Sequence, residues 1–166
     1  MVTRWPPLLV ANLKSNLDSL AMLVDRPPGH LDDPEIQPWL CRILVVRSCG
    51  YLEQVTVEVC RSYVAQKSGG LVRTFAQSWL ERSRNPTPVN LEELVGRFDA
   101  IICDEFKVML DADDGRLRRE VAFLVDRRNK IAHGISESVN RSKALQLKGI
   151  AYELADWFIL RFNPER

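Results

Sequence analysis

The chain has no long hydrophobic run, almost no net charge, two histidines only and no cysteines at paired-ligand spacing. Each shortage excludes something. Without a run of roughly eighteen apolar residues, no segment reads as a membrane span. With 23 basic against 22 acidic residues the formal net charge is +1, so any affinity for nucleic acid must come from a local patch. Cys41, Cys49, Cys60 and Cys103 lie too far apart for a zinc motif or a disulfide framework, and reduced, buried thiols are expected. No stretch alternates apolar and polar residues between turn signals, so no strand is predicted. Met1 to Leu9 contains Trp5-Pro6-Pro7 and no apolar segment before a small-residue cleavage site, and a cytoplasmic location is expected.

What is present is helical spacing. At 166 residues, 46% hydrophobic and 27% charged, one domain over 1–166 with a substantial core is expected. Leu9, Leu13, Leu17, Leu20 and Val24 predict a helix that starts after Pro6-Pro7 and stops before Asp25-Arg26-Pro27-Pro28-Gly29. His30 follows in a polar loop, where a solvated side chain is the plain reading. Asp32-Asp33-Pro34-Glu35 supplies a cap, an early proline and an acid for a long helix from Glu35 to about Lys67. Trp39, Ile43, Val46, Gly50, Val57 and Val64 mark one face of it, and Leu40, Leu44, Leu52, Val55 and Val59 broaden that face. Arg47, Tyr51 and Glu53 interrupt it with polar groups.

Ser68-Gly69-Gly70 ends that helix. Leu71, Phe75, Trp79 and Leu80 predict a shorter one, followed by a loop carrying Arg82 and Arg84. Asn90 is read as the N-cap of a helix running to Leu110 and ending in the acidic turn Asp111 to Gly115. The next starts at Arg116 and is terminated by Gly134. The last, capped by Ser136, Ser138 or Asn140, presents Ala144, Leu147, Ala151, Leu154, Ala155, Phe158 and Ile159. The fold class is all-α, an up-and-down bundle of about six helices.

The stretch Asp126-Arg127-Arg128-Asn129-Lys130-Ile131-Ala132-His133-Gly134 stands out. Leu117, Val121, Leu124 and Val125 step along one buried face, and the next step lands on Arg128, within roughly 20° of the line through Leu117. An arginine on an apolar stripe is costly unless paired. Either a carboxylate such as Glu53 meets it, or that face opens into a cleft where an anion belongs. Arg128 and His133 stand about 140° apart on an ideal helix, whereas Asn129 and His133 share a face. A site pooling two copies across a twofold axis relieves that separation. Arginine offers a fork of donors matching phosphate oxygens, and histidine titrates near neutral pH, so the chemistry suits a phosphodiester. RNA carries its own nucleophile in the 2′-hydroxyl and needs no cofactor. The plain alternative is that cations in a last helical turn answer the helix dipole alone.

Arg128-Asn129-Lys130-Ile131-Ala132-His133-Gly134 resembles the motif of the HEPN superfamily, an arginine, four to six residues, then histidine, with a polar residue after the arginine. Arg47-Ser48-Cys49-Gly50-Tyr51-Leu52-Glu53 is similar to an earlier HEPN helix with an aromatic-Leu-Glu stretch. The likeness covers roughly residues 36 to 160. It implies a four-helix core, a homodimer, and a metal-independent endoribonuclease of toxin or phage-defence type, with RNA as substrate and an antitoxin protein as a possible partner. By position, Arg128 would bind the scissile phosphate, His133 act as general acid or base, and Asn129 support them. Arg127, Lys130 and Arg47 are then candidates for further substrate contacts, and Glu53 and Tyr51 for structural support. The superfamily also holds inactive members that only bind nucleotide, RNA or protein, which leaves a non-catalytic binding module as the alternative.

Overall fold

The computed structural model describes residues 5–80, 84–135 and 138–165. Among them are six helices and no strand: α1 (Leu8–Asp25), α2 (Gln37–Lys67), α3 (Gly70–Leu80), α4 (Pro88–Gly96), α5 (Ala100–Ala132) and α6 (Arg141–Arg161). Among the described residues no helix is long and apolar enough to cross a membrane. Chain directions follow from paired contacts. Trp5 Nε1 donates to the Ile159 carbonyl while Lys148 pairs with Asp18, so α1 runs against α6. Tyr51 packs on Tyr152 and Tyr63 on Phe162, so α2 runs with α6. Glu105 pairs with Arg161, Glu153 with Arg116 and Glu120 with Lys143, so α5 again runs against α6. Helices α1, α2, α5 and α6 therefore form an up-and-down four-helix core, with α3 and α4 inserted between α2 and α5. α1 is a full member of that core, so the architecture extends beyond the 36–160 span suggested by the motifs.

The core is filled by Leu44, Leu52 and Val55 of α2, Leu110 and Leu124 of α5, Leu147, Leu154 and Phe158 of α6, and Val10, Leu17 and Val24 of α1. The expected face of α2 is displaced. Trp39 and Ile43 are exposed and Val46, Gly50 and Val57 half-buried, while Cys41, Val45, Ser48, Tyr51 and Thr56 lie inside. Polar residues are tolerated there because the Ser48 and Thr56 hydroxyls donate to the carbonyls of Leu44 and Leu52 one turn back, at 2.7 and 2.9 Å. All four cysteines are free and buried, and burial pushes the Cys49 thiol up to about 11.

Three expected boundaries move. Asp33 accepts from the Glu35 amide, making a turn, and α2 begins at Gln37 rather than Glu35. Thr87, not Asn90, caps α4, its hydroxyl accepting from the Asn90 amide at 3.2 Å. The helix expected from Asn90 to Leu110 is broken after Gly96, where Asp99 accepts from the amides of Ile101 and Ile102 and starts α5.

The acidic turn does interrupt the helix: Ala112 is extended, and Asp113, Asp114 and Gly115 take φ of 52°, 55° and 71°. Aspartate and glycine are residues that enter this left-handed region more readily than most. The turn therefore divides α5 into two helical segments, as the sequence predicts, and the ion pairs with α6 keep their order across the break, so both segments run in the same direction. Asn140 is the observed cap of α6, its side chain accepting from the Lys143 amide; Ser136 lies outside the described residues, as does Arg82. α3 differs most from expectation. Only Leu80 of its apolar residues is buried, and Leu71, Phe75 and Trp79 face outward.

Candidate functional site

α5 carries Leu117, Val121, Leu124 and Val125 into the core, and the same stripe then presents Arg128 half-buried at the edge of the bundle. Among the described residues no carboxylate forms an ion pair with it. Its Nη1 donates to Oδ1 of Asn129 at 3.0 Å. That amide oxygen also accepts, at 3.5 Å, from Nδ2 of Asn85 in the loop before α4. Asn85 is itself held, its carbonyl accepting from Asn90 Nδ2 at 2.8 Å. A neutral amide orients the guanidinium without cancelling its charge.

Arg128 forms one wall of a groove of about 320 Å³. The outer face of α2 floors it, with Arg47, Gly50, Glu53 and Gln54, and Leu13 and Leu17 of α1 form the opposite wall. The two segments singled out in the sequence, 47–53 and 128–134, thus meet at this groove through Arg47, Tyr51, Glu53 and Arg128. Glu53 lines it beside Arg128. Tyr51 is buried, its ring packed on Tyr152 at 5.0 Å, and its hydroxyl has no hydrogen-bond partner among the described residues. Burial, with the negative charges of Asp156 and Asp18, pushes the phenol up to about 12, so it stays a neutral donor.

The other candidates lie around the end of α5. His133 occupies the C-cap and is exposed; it does not line the groove. The helix ends in a Schellman motif: Gly134 N–H donates to the Ile131 carbonyl and Ile135 N–H to that of Lys130, with Gly134 at φ +72°. This turn fixes where the imidazole leaves the helix. Arg127 lies over the Phe123 ring at 4.6 Å and within 4.0 Å of Asp126, and Lys130 pairs with Asp126 at 3.1 Å. Both contribute to the positive end of α5 but neither reaches the groove. His30 is exposed in its loop.

Asn85 was invisible to the sequence reading. It sits 44 positions from Asn129 in a loop where the arginines drew attention, and no local spacing connects the two. Among the described residues no group of three or more His, Cys, Asp or Glu could hold a metal ion. The arrangement can grip an anion with a charged, pre-oriented fork, and it holds a titratable imidazole just past the helix end.

The model of the family described as RiboL-PSP-HEPN matches residues 11–158. No curated protein and no solved structure gave a match.

Proposed function

The chain belongs to the RiboL-PSP-HEPN family, and we propose that it is a metal-independent endoribonuclease that works as a homodimer, as a toxin or phage-defence effector. Membership of a HEPN family points to RNA-related, nuclease-type work; the finer reading rests on one observation. Arg128 is half-buried on a core-facing stripe, meets an amide instead of a carboxylate, and opens onto a polar groove. A charge left uncompensated at such a position is a site for an anion.

In the reaction, the ribose 2′-oxygen attacks the adjacent phosphorus, forming the P–O2′ bond as the P–O5′ bond breaks. His133 takes the proton from the 2′-hydroxyl or gives one to the departing 5′-oxygen. Arg128 binds the non-bridging oxygens, whose negative charge grows in the transition state. Asn129, steadied by Asn85, holds the guanidinium in place, and Arg47 adds positive charge at the groove floor. The products are a 2′,3′-cyclic phosphate and a 5′-hydroxyl. Pairing two chains would bring the exposed His133 of each end turn to a shared cleft, and light scattering on the purified protein reads the oligomeric state directly.

The test is incubation with a tRNA and rRNA mixture in excess EDTA, followed by end-group analysis. Cyclic phosphate ends, lost in His133→Ala and Arg128→Ala while circular dichroism is unchanged, are the expected result. Cleavage that persists unchanged in both variants removes the assignment. The exposed apolar face of α3 favours a second reading, a non-catalytic module that binds a partner. Growth inhibition on expression that His133→Ala relieves separates the enzyme from the module.

A further inference from the structure

The stripe of α3 is uncovered: Leu71, Phe75 and Trp79 are 88%, 67% and 55% exposed. Phe75 and Trp79 meet edge to face at 6.3 Å. Beside them a groove of about 520 Å³ runs between α3, the end of α2 and α4, lined among others by Phe75, Trp79, Phe98, Lys67 and Arg97. The Arg97 guanidinium lies over the Trp79 ring at 5.1 Å, and Arg73 caps the carbonyl of Ser68. Among the described residues none of Lys67, Arg73 and Arg97 pairs with a carboxylate. Arg84, Arg116, Arg118, Arg141 and Arg161 are by contrast each held by an acid, while Arg128 shares the unpaired state of the α3 cations. The charge left at α3 therefore matches an anionic ligand, and the exposed rings match one with flat faces.

Position narrows the choice. Trp79 and Arg97 also line a neighbouring cleft whose walls include Asn85. Asn85 donates to Asn129, the partner of Arg128. Shared lining residues and two hydrogen bonds thus connect the α3 groove to Arg128, and a strand of nucleic acid can reach both where an acidic peptide need not.

We propose that the α3–α4 groove binds single-stranded RNA flanking the scissile phosphate, with bases stacked on Phe75 and Trp79 and phosphates held by Arg73 and Arg97. The inference rests on the nuclease reading for the site at its far end. A duplex keeps its bases stacked on one another and offers none to the rings, so the groove favours unpaired RNA.

The test is fluorescence anisotropy with the full chain and a labelled single-stranded 2′-O-methyl oligonucleotide, which lacks the attacking hydroxyl and so reports binding alone. Phe75→Ala and Trp79→Ala are each expected to weaken binding about tenfold, with Trp79→Phe recovering most of it. Arg97→Ala should lower the salt slope by about 0.7. The same oligonucleotide in a duplex should bind more weakly. Equal affinity in wild type and both alanine variants overturns the proposal, as does an acidic amphipathic peptide filling the groove while RNA does not bind. Binding lost in these variants, with no RNA cleaved by wild type, keeps the groove and removes the nuclease. Cleavage lost in His133→Ala, with binding untouched in Phe75→Ala and Trp79→Ala, does the opposite.

Discussion

Two arginines on α5, ten positions apart, are both half-buried and meet opposite surroundings. Arg118 is clamped: Nε and Nη2 donate to the two oxygens of Asp111, and Nη1 reaches Glu92. The hydrogen bonds to Asp111 lead the effects that push its pKa further up, against the cost of burial. Arg128 has a neutral amide where Arg118 has two carboxylates. Helix position does not separate them, since either could be read as a cation on a helix flank. The counter-ion does. Arg118 closes the kink between Asp111 and Gly115 and ties α4 to α5, so its charge is consumed by the fold. The charge of Arg128 remains available to a ligand.

The sharpest way to break this contrast is to delete each charge. Arg128→Ala and His133→Ala are expected to lower the rate of RNA cleavage by about two to three orders of magnitude, the range for a single transition-state donor or proton-transfer group, with little change in melting temperature. Arg118→Ala should leave cleavage by the folded protein unchanged. Single-turnover rates beside thermal melts decide it. If Arg118→Ala damages cleavage as badly as Arg128→Ala without unfolding the chain, the presence or absence of a carboxylate says nothing about role. A smaller step sharpens the point. Arg128→Lys keeps the charge and discards the planar fork, and a loss of about ten- to a hundredfold is expected. Full activity in the lysine variant would mean that only the charge matters.

The place of Arg128 was legible from spacing alone, because a helix repeats every three to four residues; its contrast with Arg118 was not. The run Leu117, Val121, Leu124, Val125 and then Arg128 could be read directly, and so could the face of α6. What spacing could not show is what covers a face. α3 has the pattern of a packed helix and is bare, because nothing in its own eleven residues says whether a neighbour lies over it. The apolar face of α2 was read too wide for a related reason: Leu44, Leu52, Val55, Val59 and Val64 are inside as expected, whereas Trp39, Ile43, Val46, Gly50 and Val57 continue the same spacing on the outer side. The break after Gly96 hid because Leu94, Val95, Phe98, Ile101 and Ile102 keep helical steps on both sides. Gly96 followed by Asp99, a natural N-cap, was the signal for it. The link from Asn85 to Asn129 carries no local signal.

The kink and the C-terminal end of α5 should also differ in how they fail. Arg118→Ala is expected to cost about 1 kcal/mol of stability, since the network is partly solvated, and urea titration measures it. Gly134→Ala should cost a similar amount, about 1 kcal/mol, because alanine is strained at the φ of +72° that the Schellman turn requires. The consequences diverge. Gly134→Ala displaces the turn that aims His133, so cleavage should fall as well, whereas stability alone should fall in Arg118→Ala. Unaltered cleavage in a destabilised Gly134→Ala would show that the turn does not position the imidazole.

The smallest effect concerns Asp18, which is to α1 and α6 what Asp111 is to Arg118. Burial alone would raise its pKa. Hydrogen bonds from Lys148 at 2.6 Å and Tyr152 at 2.8 Å, with the charges of Lys148 and Lys14, outweigh that and hold the carboxyl below its ordinary value of 3.8. The folded value is thus lower than the unfolded one, so the stabilisation is complete above the unfolded value and disappears as pH falls through the folded one. With the Asp18 side chain 45% exposed, it amounts to less than about 1 kcal/mol. The stability difference between wild type and Asp18→Asn should therefore be constant between about pH 5 and 7 and shrink below roughly pH 4, as urea unfolding at each pH would show. Cleavage should be the same in both proteins. A variant that keeps its stability at neutral pH yet cleaves RNA poorly would place a paired charge in the machinery, and the distinction drawn between Arg118 and Arg128 would have to rest on something other than their counter-ions.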